Sequence, residues 1–338
     1  MPVDFDFTEE QYALRDLARD VFAREWPSAR LRELWEGKEP DGSVWRTLAE
    51  VGIAGLTVPE AQGGSGGDLL DLVLVLEEAG RVALAEPLVE TAAVAAPVLA
   101  AFGGEAQFER LSRIASGAAV VTVLAPGAPF ALDADQAEAV LVLDGEDLHL
   151  VPEGAFTSRA LAVEDRARRL FAVEAQTSSA TRVGGVDAVA LARRLGAVAT
   201  AVVLNGVSSR LLETTVDYVR ERQQFGRPVG SFQAVKHKLA DVHADLEAAR
   251  AAAWYAAYSL ARGLPDADLA TSVAKASSAE AGARANAEAL QCHGGIGFTW
   301  EHDLHLWLKR GKALEAAYGT AAEHRSRLAE HLLAEPAS

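Results

Sequence analysis

Three breaks between helical stretches hold most of the side chains in this sequence that can do chemistry. The first is RERQQFGRPVGSFQ, residues 220–233. Gly226 and Pro228 read as the stop of the helix carrying Arg222, and Ser231 reads as the cap of the next helix. That places Arg222 in a last turn and Gln233 in a first turn, both able to face one site. A guanidinium fork holds a phosphate through two bonds, and a glutamine amide adds one to ribose or phosphate. The plainer alternative is an arginine that complements its own helix C-terminus and stays in water. The second break, QCHGGIGFTW at 291–300, pairs Gly294 with Gly295. Two glycines in a row stop a helix and also let a ligand or a second backbone come close. No carboxylate or second histidine precedes His293 at ligand spacing, so it reads as a loop or core histidine rather than a metal ligand. Glu301, His302, Asp303 and His305 resemble a donor set, but Leu304, Leu306 and Trp307 interleave with them, the pattern of an amphipathic helix with a wet face. The third break is ALEAAYGTAAEHR, 313–325. Gly319 interrupts the helical period, and Thr320 with Glu323 restarts it at capping-box spacing. Helix N–H groups beside Tyr318 are then available to an anion or a carbonyl; an ordinary kinked helix pair has the same pattern.

Long helices and a compact strand region must position these breaks. At 338 residues and 50% hydrophobic the chain can bury a large core. A formal net charge of −16 repels nucleic acid and anionic membrane surfaces over most of the molecule, so any phosphate site is local and neither partner is expected. The single cysteine, Cys292, excludes a disulfide framework within the chain and any multi-cysteine metal site, which suits a reducing cytoplasm. The start, MPVDFDFTEEQ, has no basic region followed by an apolar core, and the apolar runs at 91–104 and 195–207 read as too short to cross a bilayer. Thr8 and Gln11 have capping-box spacing and Phe7 can staple onto Tyr12, so a helix begins at Glu9. Residues 69–82 and 88–102 are helical by period, with a flexible loop, VPEAQGGSGGD, before them. After Gly117 the pattern changes to short β-branched runs, AAVVTVLAP, AEAVLVL, DLHLVP and RLFAVEA, separated by Gly, Pro and Asp. Helical periodicity returns from about Asp187. The expected fold is mainly α with a small central β-domain: an N-terminal helical domain over 1–116, the β-domain over 117–186 and a C-terminal helical bundle over 187–338.

Taken in order, RQQFGRPVGSFQ, QCHGGIGFTWEHD and the AYGT element, preceded by WRTLAEVGIAGLTVPEAQGGSGG and LEEAGR, resemble the acyl-CoA dehydrogenase flavoproteins over nearly the whole chain. The resemblance implies FAD shared between subunits, with Arg222, Phe225, Gln233, Gln291, Gly294 and Gly295 reaching the adenosine and pyrophosphate end of a partner's FAD, and Thr320 at the terminal element. It implies oxidation of an acyl-CoA thioester at its α and β carbons, with a glutamate taking the α-proton. This sequence has Tyr318 at one usual place of that glutamate and Gly196 at the other; Glu315 is a substitute only if the backbone shifts. Where relatives carry Thr-Glu-Pro and Gly-Ser-Asp, this chain reads TVLAPGAPFALDADQ, and the terminal Thr-x-Gln is Thr320-Ala321-Ala322. The expected function is a subunit without its own base that completes the FAD site of a catalytic partner in a hetero-oligomer, as in two-gene actinobacterial enzymes, with bulky steroid-type CoA thioesters among the substrates. A self-sufficient homo-oligomer with another base and a flavin-free scaffold are the rival expectations.

Overall fold

Thr8 opens the first helix as its spacing with Gln11 predicts. Gln11 N–H donates to Thr8 Oγ1 at 3.2 Å, Thr8 N–H donates to Gln11 Oε1 at 2.9 Å, and the Phe7 and Tyr12 rings meet edge to face at 6.0 Å. The computed structural model describes residues 6–125, 130–179 and 181–334. They divide into two compact units, Met1–Leu76 with Ala85–Ala199, and Glu77–Leu84 with Thr200–Ser338.

The first unit begins with α1 (Glu9–Glu25), α2 (Ser28–Trp35) and α3 (Ser43–Glu50), and takes in most of α4 (Leu69–Arg81). The glycine-rich stretch before α4, expected to be flexible, is folded back on itself instead. Ser65 N–H donates to Gly55 O at 3.2 Å, Gly66 N–H to Val58 O at 2.9 Å and Gly67 N–H to Leu56 O at 2.9 Å. Backbone pairing replaces the contacts that these small side chains cannot make. The stretch predicted as one helix over 88–102 is a buried π-helix, Leu88–Ala95, that runs into α5 (Ala96–Phe102). Pro97 in the first turn of α5 has no N–H to give and crowds the carbonyl four residues back, which favours the wider winding before it. Thr57 Oγ1 donates to Ala92 O at 2.5 Å and Thr91 Oγ1 donates to Val121 O at 3.0 Å. Then α6 (Phe108–Ala115) leads to the strands.

Four of the seven strands described between Val121 and Gly184 are those legible in the sequence: β1 (Val121–Leu124), β3 (Ala139–Asp144), β4 (Asp147–Pro152) and β6 (Leu170–Ala175). The others are β2 (Phe130–Leu132), β5 (Phe156–Ala160) and β7 (Arg182–Gly184). One sheet has the order β1-β3-β4-β7 and the other β2-β6-β5. β1 lies parallel to β3, while β3 and β4 form a tight hairpin that closes with Asp144 opposite Asp147. Val140, Val142, Val151, Phe171 and Val173 fill a small core of their own. Residues 126–129, within the altered TVLAPGAPFALDADQ stretch, lie outside the described residues.

The second unit is a bundle built around the part of α7 (Val186–Glu221) from Thr200 onward, α8 (Gln233–Ala261) and α9 (Ala267–His293), with α10 (Leu304–Ala316) and α11 (Ala321–Ala334). The end of α4 packs into it at a glycine pair: a Cβ at Gly206 would stand 2.0 Å from Glu77 O, and one at Gly80 would stand 2.0 Å from Val203 O. Side-by-side ion pairs fix the register of α8 against α9, Lys238 with Glu288 at 2.5 Å and Arg284 with Asp245 at 3.0 Å, so the two run antiparallel. By length and composition α7 could cross a bilayer, contrary to the reading of its apolar run as too short; 89% of its most apolar window is buried inside the fold, as in a core helix.

Candidate functional site

The first break is a β-hairpin rather than a plain helix stop. α7 ends at Glu221, and Arg222 follows with its N–H donating to Tyr218 O at 2.8 Å. Gln223–Gln224 (β8) then pairs with Arg227–Pro228 (β9), with Phe225 and Gly226 alone in the turn. Both have positive φ, 52° and 75°, the conformation that a two-residue type I′ turn demands. A phenylalanine in the left-handed region is strained by about 1–2 kcal/mol, yet Phe225 is 92% exposed. Its ring meets Phe232 edge-on at 6.2 Å, and the Arg227 guanidinium lies 4.0 Å over the Phe232 ring. Ser231 does not cap α8. It belongs to a 3-10 turn, Val229–Ser231, and Phe232 takes the cap position without a side-chain bond, because the extra turn carries the serine away from the helix mouth. Gln233 is the first residue of α8, exposed, its Nε2 donating to His237 Nε2 at 3.4 Å.

Tyr218 joins this corner to the second break. Its ring stacks on His293 at 4.3 Å, and its hydroxyl points to His293 O at 3.5 Å. His293 is buried, with Nδ1 donating to Ala289 O at 2.8 Å, which leaves Nε2 as a bare acceptor; burial lowers its pKa, so it stays neutral. The sequence reading of a core histidine holds, but its role as a weld between α7 and α9 has no local signature. His302 closes edge-on against both rings. The expected wet helix starts only at Leu304. Trp300–Asp303 form turns, since His302 Nδ1 accepts Leu304 N–H and His305 Nδ1 donates to His302 O. Among the described residues no group of His, Cys, Asp and Glu is placed to hold a metal ion.

With the register of α8 on α9, these contacts gather Arg222, Phe225, Gln233, Gln291, Gly294 and Gly295 at one end of the bundle. Gly294 needs its positive φ of 62° to end α9. Gly295 does not, and a Cβ there would meet nothing within 4 Å, so the chain itself has no use for its small size. Arg222 and Gln291 are exposed, and Arg222 has no ion pair among the described residues. A strained exposed aromatic, an unengaged guanidinium and a bare glycine corner fit the adenosine and pyrophosphate end of a dinucleotide such as FAD.

Tyr318, Thr320 and Glu315 are elsewhere. α10 runs back along α9 until Lys275 Nζ reaches Glu315 O at 2.9 Å. Lys275 and Gln291 are separated by sixteen residues of one helix, about 24 Å. Tyr318 and Gly319 make the corner into α11 with φ of 56° and 106°. The capping box is formed as predicted, but Glu323 Oε2 already accepts from both Thr320 N–H, at 2.7 Å, and Thr320 Oγ1, at 3.0 Å. Those bonds hold the Glu323 carboxyl below its ordinary pKa, so an anion belonging to the chain itself occupies the place left open for an outside one. Glu315 is half-buried and is held by Lys312 at 3.0 Å. Gly196 lies inside α7, with no carboxylate of its own to offer.

Comparison with known proteins agrees with the resemblance. The acyl-CoA dehydrogenase N-terminal domain model matches residues 8–118 and the C-terminal domain model matches residues 184–333. Acyl-CoA dehydrogenase IpdE2 of Mycobacterium tuberculosis is 34% identical over 306 residues, covering 89% of this chain and 91% of its own length. The chain belongs to the acyl-CoA dehydrogenase family. Among solved acyl-CoA dehydrogenase folds, a chain of the ChsE4-ChsE5 complex from M. tuberculosis superposes with a TM-score of 0.89 at 29% identity, covering 99% of this chain and all of that one. A chain of the Tcur3481-Tcur3483 steroid ACAD superposes with 0.86 at 29% identity, covering 96% and 98%.

Proposed function

We propose that this chain is a subunit of an FAD-dependent acyl-CoA dehydrogenase that lacks its own base and completes the FAD site of a different, catalytic subunit. The observation that carries the reading is the separation within the bundle: the corner suited to FAD is exposed and not engaged by its own chain, while the corner where the resemblance puts the base, at Tyr318, follows the α10 end that meets α9 at Lys275, about 24 Å along α9 from Gln291. When bound, the flavin would supply the acceptor for the hydride that leaves the β-carbon of the thioester. Arg222 would hold the pyrophosphate, Gln233 and Gln291 would bond to the adenosine end, Phe225 would pack against it, and Gly294 and Gly295 would let it approach. No group at Tyr318 or Gly196 takes the α-proton, so the partner supplies that base. The two similar structures named as pairs of chains favour a hetero-oligomer, and the steroid ACAD favours steroid CoA thioesters as the substrate class. The reducing cytoplasm suits the single free cysteine, Cys292.

The test is co-expression with the catalytic partner. A charge-assisted bond contributes about 1.5–3 kcal/mol, so Arg222→Ala should weaken flavin retention by the purified complex about tenfold to a hundredfold, with Gln233→Ala milder. The melting temperature of the lone chain should not move, because Arg222 makes no ion pair among the described residues. Full flavin content in the Arg222→Ala complex would refute the role of this corner.

A further inference from the structure

Residues 222–227 are all exposed, so burial does little to fix where the β8–β9 hairpin stands. Its base is fixed from α7. Arg222 N–H donates to Tyr218 O at 2.8 Å, and Val229 N–H donates to Arg222 O at 2.7 Å. A Cβ at Gly230 would stand 3.0 Å from Val219 O, so the returning chain lies against the last turns of α7. Among the described residues, no hydrogen bond or ion pair joins the hairpin, Gln223–Pro228, directly to the glycine turn, Gly294–Phe298. The Tyr218 ring spans that gap. It stacks on the His293 ring at 4.3 Å with the planes 17° apart. Its hydroxyl stands 3.5 Å from His293 O, at the long limit for a hydrogen bond, so the ring rather than the hydroxyl makes the joint. His293 ends α9, is 4% exposed, and donates from Nδ1 to Ala289 O, which fixes its ring in turn. The glycine turn folds back over it: a Cβ at Gly297 would stand 3.1 Å from His293 Cβ and 3.1 Å from Leu290 Cδ1. One ring stack thus ties the backbone that carries Arg222 to the backbone that leads into Gly294 and Gly295.

We propose that Tyr218 is a positioning residue for the cofactor corner: by stacking on His293 it sets the spacing between Arg222 and Phe225 on the hairpin and Gln291, Gly294 and Gly295 at the end of α9. That FAD is what fits this spacing rests on the function proposed above; the coupling of the two segments does not. A guanidinium grips a phosphate through a fork of fixed geometry. An exposed hairpin that has to be ordered on binding loses affinity to that ordering, and a hairpin held beforehand does not. An aromatic pair contributes enough to shift such an equilibrium about threefold to tenfold. Leucine at 218 keeps apolar bulk in the helix but not the flat face that lies on the imidazole. Phenylalanine keeps the face and loses only the long hydroxyl contact.

The experiment compares Tyr218→Leu with Tyr218→Phe, by amide hydrogen exchange on the full chain and by FAD titration of the co-expressed complex after its flavin is stripped. In Tyr218→Leu, exchange should quicken about threefold to tenfold at the bonded amides of Arg222 and Val229 and, together with them, at those of Gly294 and Thr299. Amides in the middle of α8 and α9 should hold. The FAD dissociation constant of the complex should rise by the same factor, and Tyr218→Phe should restore both. Loosening confined to the hairpin overturns the proposal, because Tyr218 then holds only its own helix end. Loosening spread evenly through α8 and α9 overturns it as well, as does a Phe variant no better than the Leu one. A loosened corner with unchanged FAD affinity also overturns it; whether the function proposed above falls too is read separately from Arg222→Ala. His293→Leu removes the stack from the α9 side. If Tyr218→Leu does not fold, quickened exchange at Arg222 and Val229 in His293→Leu, with the same loss of FAD affinity, supports the joint, and unchanged hairpin amides overturn it.

Discussion

At the residue scale, the groups with the most disturbed acidities lie away from the candidate site. Glu86, entering the π-helix, is pushed up to about 8, first by burial and then by nearby Asp133; Arg30 and Arg46 pull the other way. Asp133 is pushed up to about 7 by burial, with the Arg169 guanidinium opposing. Both acids bind protons more readily in the folded chain than in the unfolded one. Their stabilising effect is therefore complete below the unfolded value near 4, and it fades as pH rises through about 7 to 8. Glu86→Gln should remove part of that fade: its melting temperature should match the wild type at pH 5 and exceed it at pH 9. Equal pH dependence of the two melting curves would show that Glu86 does not titrate as its burial requires. Nothing in the sequence around Glu86 announces this, because the charges that act on it, Asp133, Arg30, Asp41 and Arg46, lie in stretches distant along the chain.

At the element scale, local pattern and tertiary placement are legible to different degrees. Helix starts written in side-chain chemistry, such as Thr8 with Gln11 and Thr320 with Glu323, occur where spacing puts them. Strands β1, β3, β4 and β6 are apolar and β-branched enough to read directly. β5, FTSRA, is too polar to announce itself, and β2 and β7 are three residues each, so their pairing partners decide them. The same division applies at the candidate site. Arg222, Gln233 and the Gly294–Gly295 pair are legible as residues, but the hairpin between β8 and β9 and the Tyr218–His293 stack that gathers them depend on contacts far apart in sequence. Two predictions belong here. Gly206→Ala should cost about 1–3 kcal/mol in a denaturant titration, since its Cβ meets the Glu77 carbonyl at 2.0 Å and only backbone movement relieves it. Phe225→Asn should leave the lone chain as stable or up to about 1 kcal/mol more so, because asparagine tolerates the left-handed turn. The same change should weaken flavin retention by the complex. A drop in stability with flavin unaffected would make Phe225 a packing residue of the hairpin.

At the scale of the whole molecule, the question is whether one chain can carry out the family's reaction alone. On the function proposed above, its two corners are spaced along α9, and neither Tyr318 nor Gly196 brings a carboxylate to the places where the resemblance puts the base. Lone-chain preparations should therefore show no acyl-CoA dehydrogenation, as a well-placed general base is typically worth about a hundredfold to ten-thousandfold in rate. Tyr318→Glu should not restore it. The corner would then hold a carboxylate, but TVLAPGAPFALDADQ lacks the Thr-Glu-Pro and Gly-Ser-Asp that the resemblance implies for contact with flavin and substrate, and a base without a positioned substrate accomplishes little. Glu315 is the rival base. It is tied to Lys312 on its own helix, one turn from Tyr318, and freeing it requires breaking that pair and moving the backbone that Lys275 fixes. Turnover assays on the purified chain, its Glu315→Gln variant and its Tyr318→Glu variant, each with and without the catalytic partner, separate the cases. Turnover by the lone chain that Glu315→Gln abolishes would establish a self-sufficient homo-oligomer. Turnover by the lone Tyr318→Glu chain would show that the shortened β-domain still holds its substrate. Activity that appears only with the partner, and that survives Glu315→Gln, is the outcome expected of a subunit whose contribution to the chemistry is the site it completes for another.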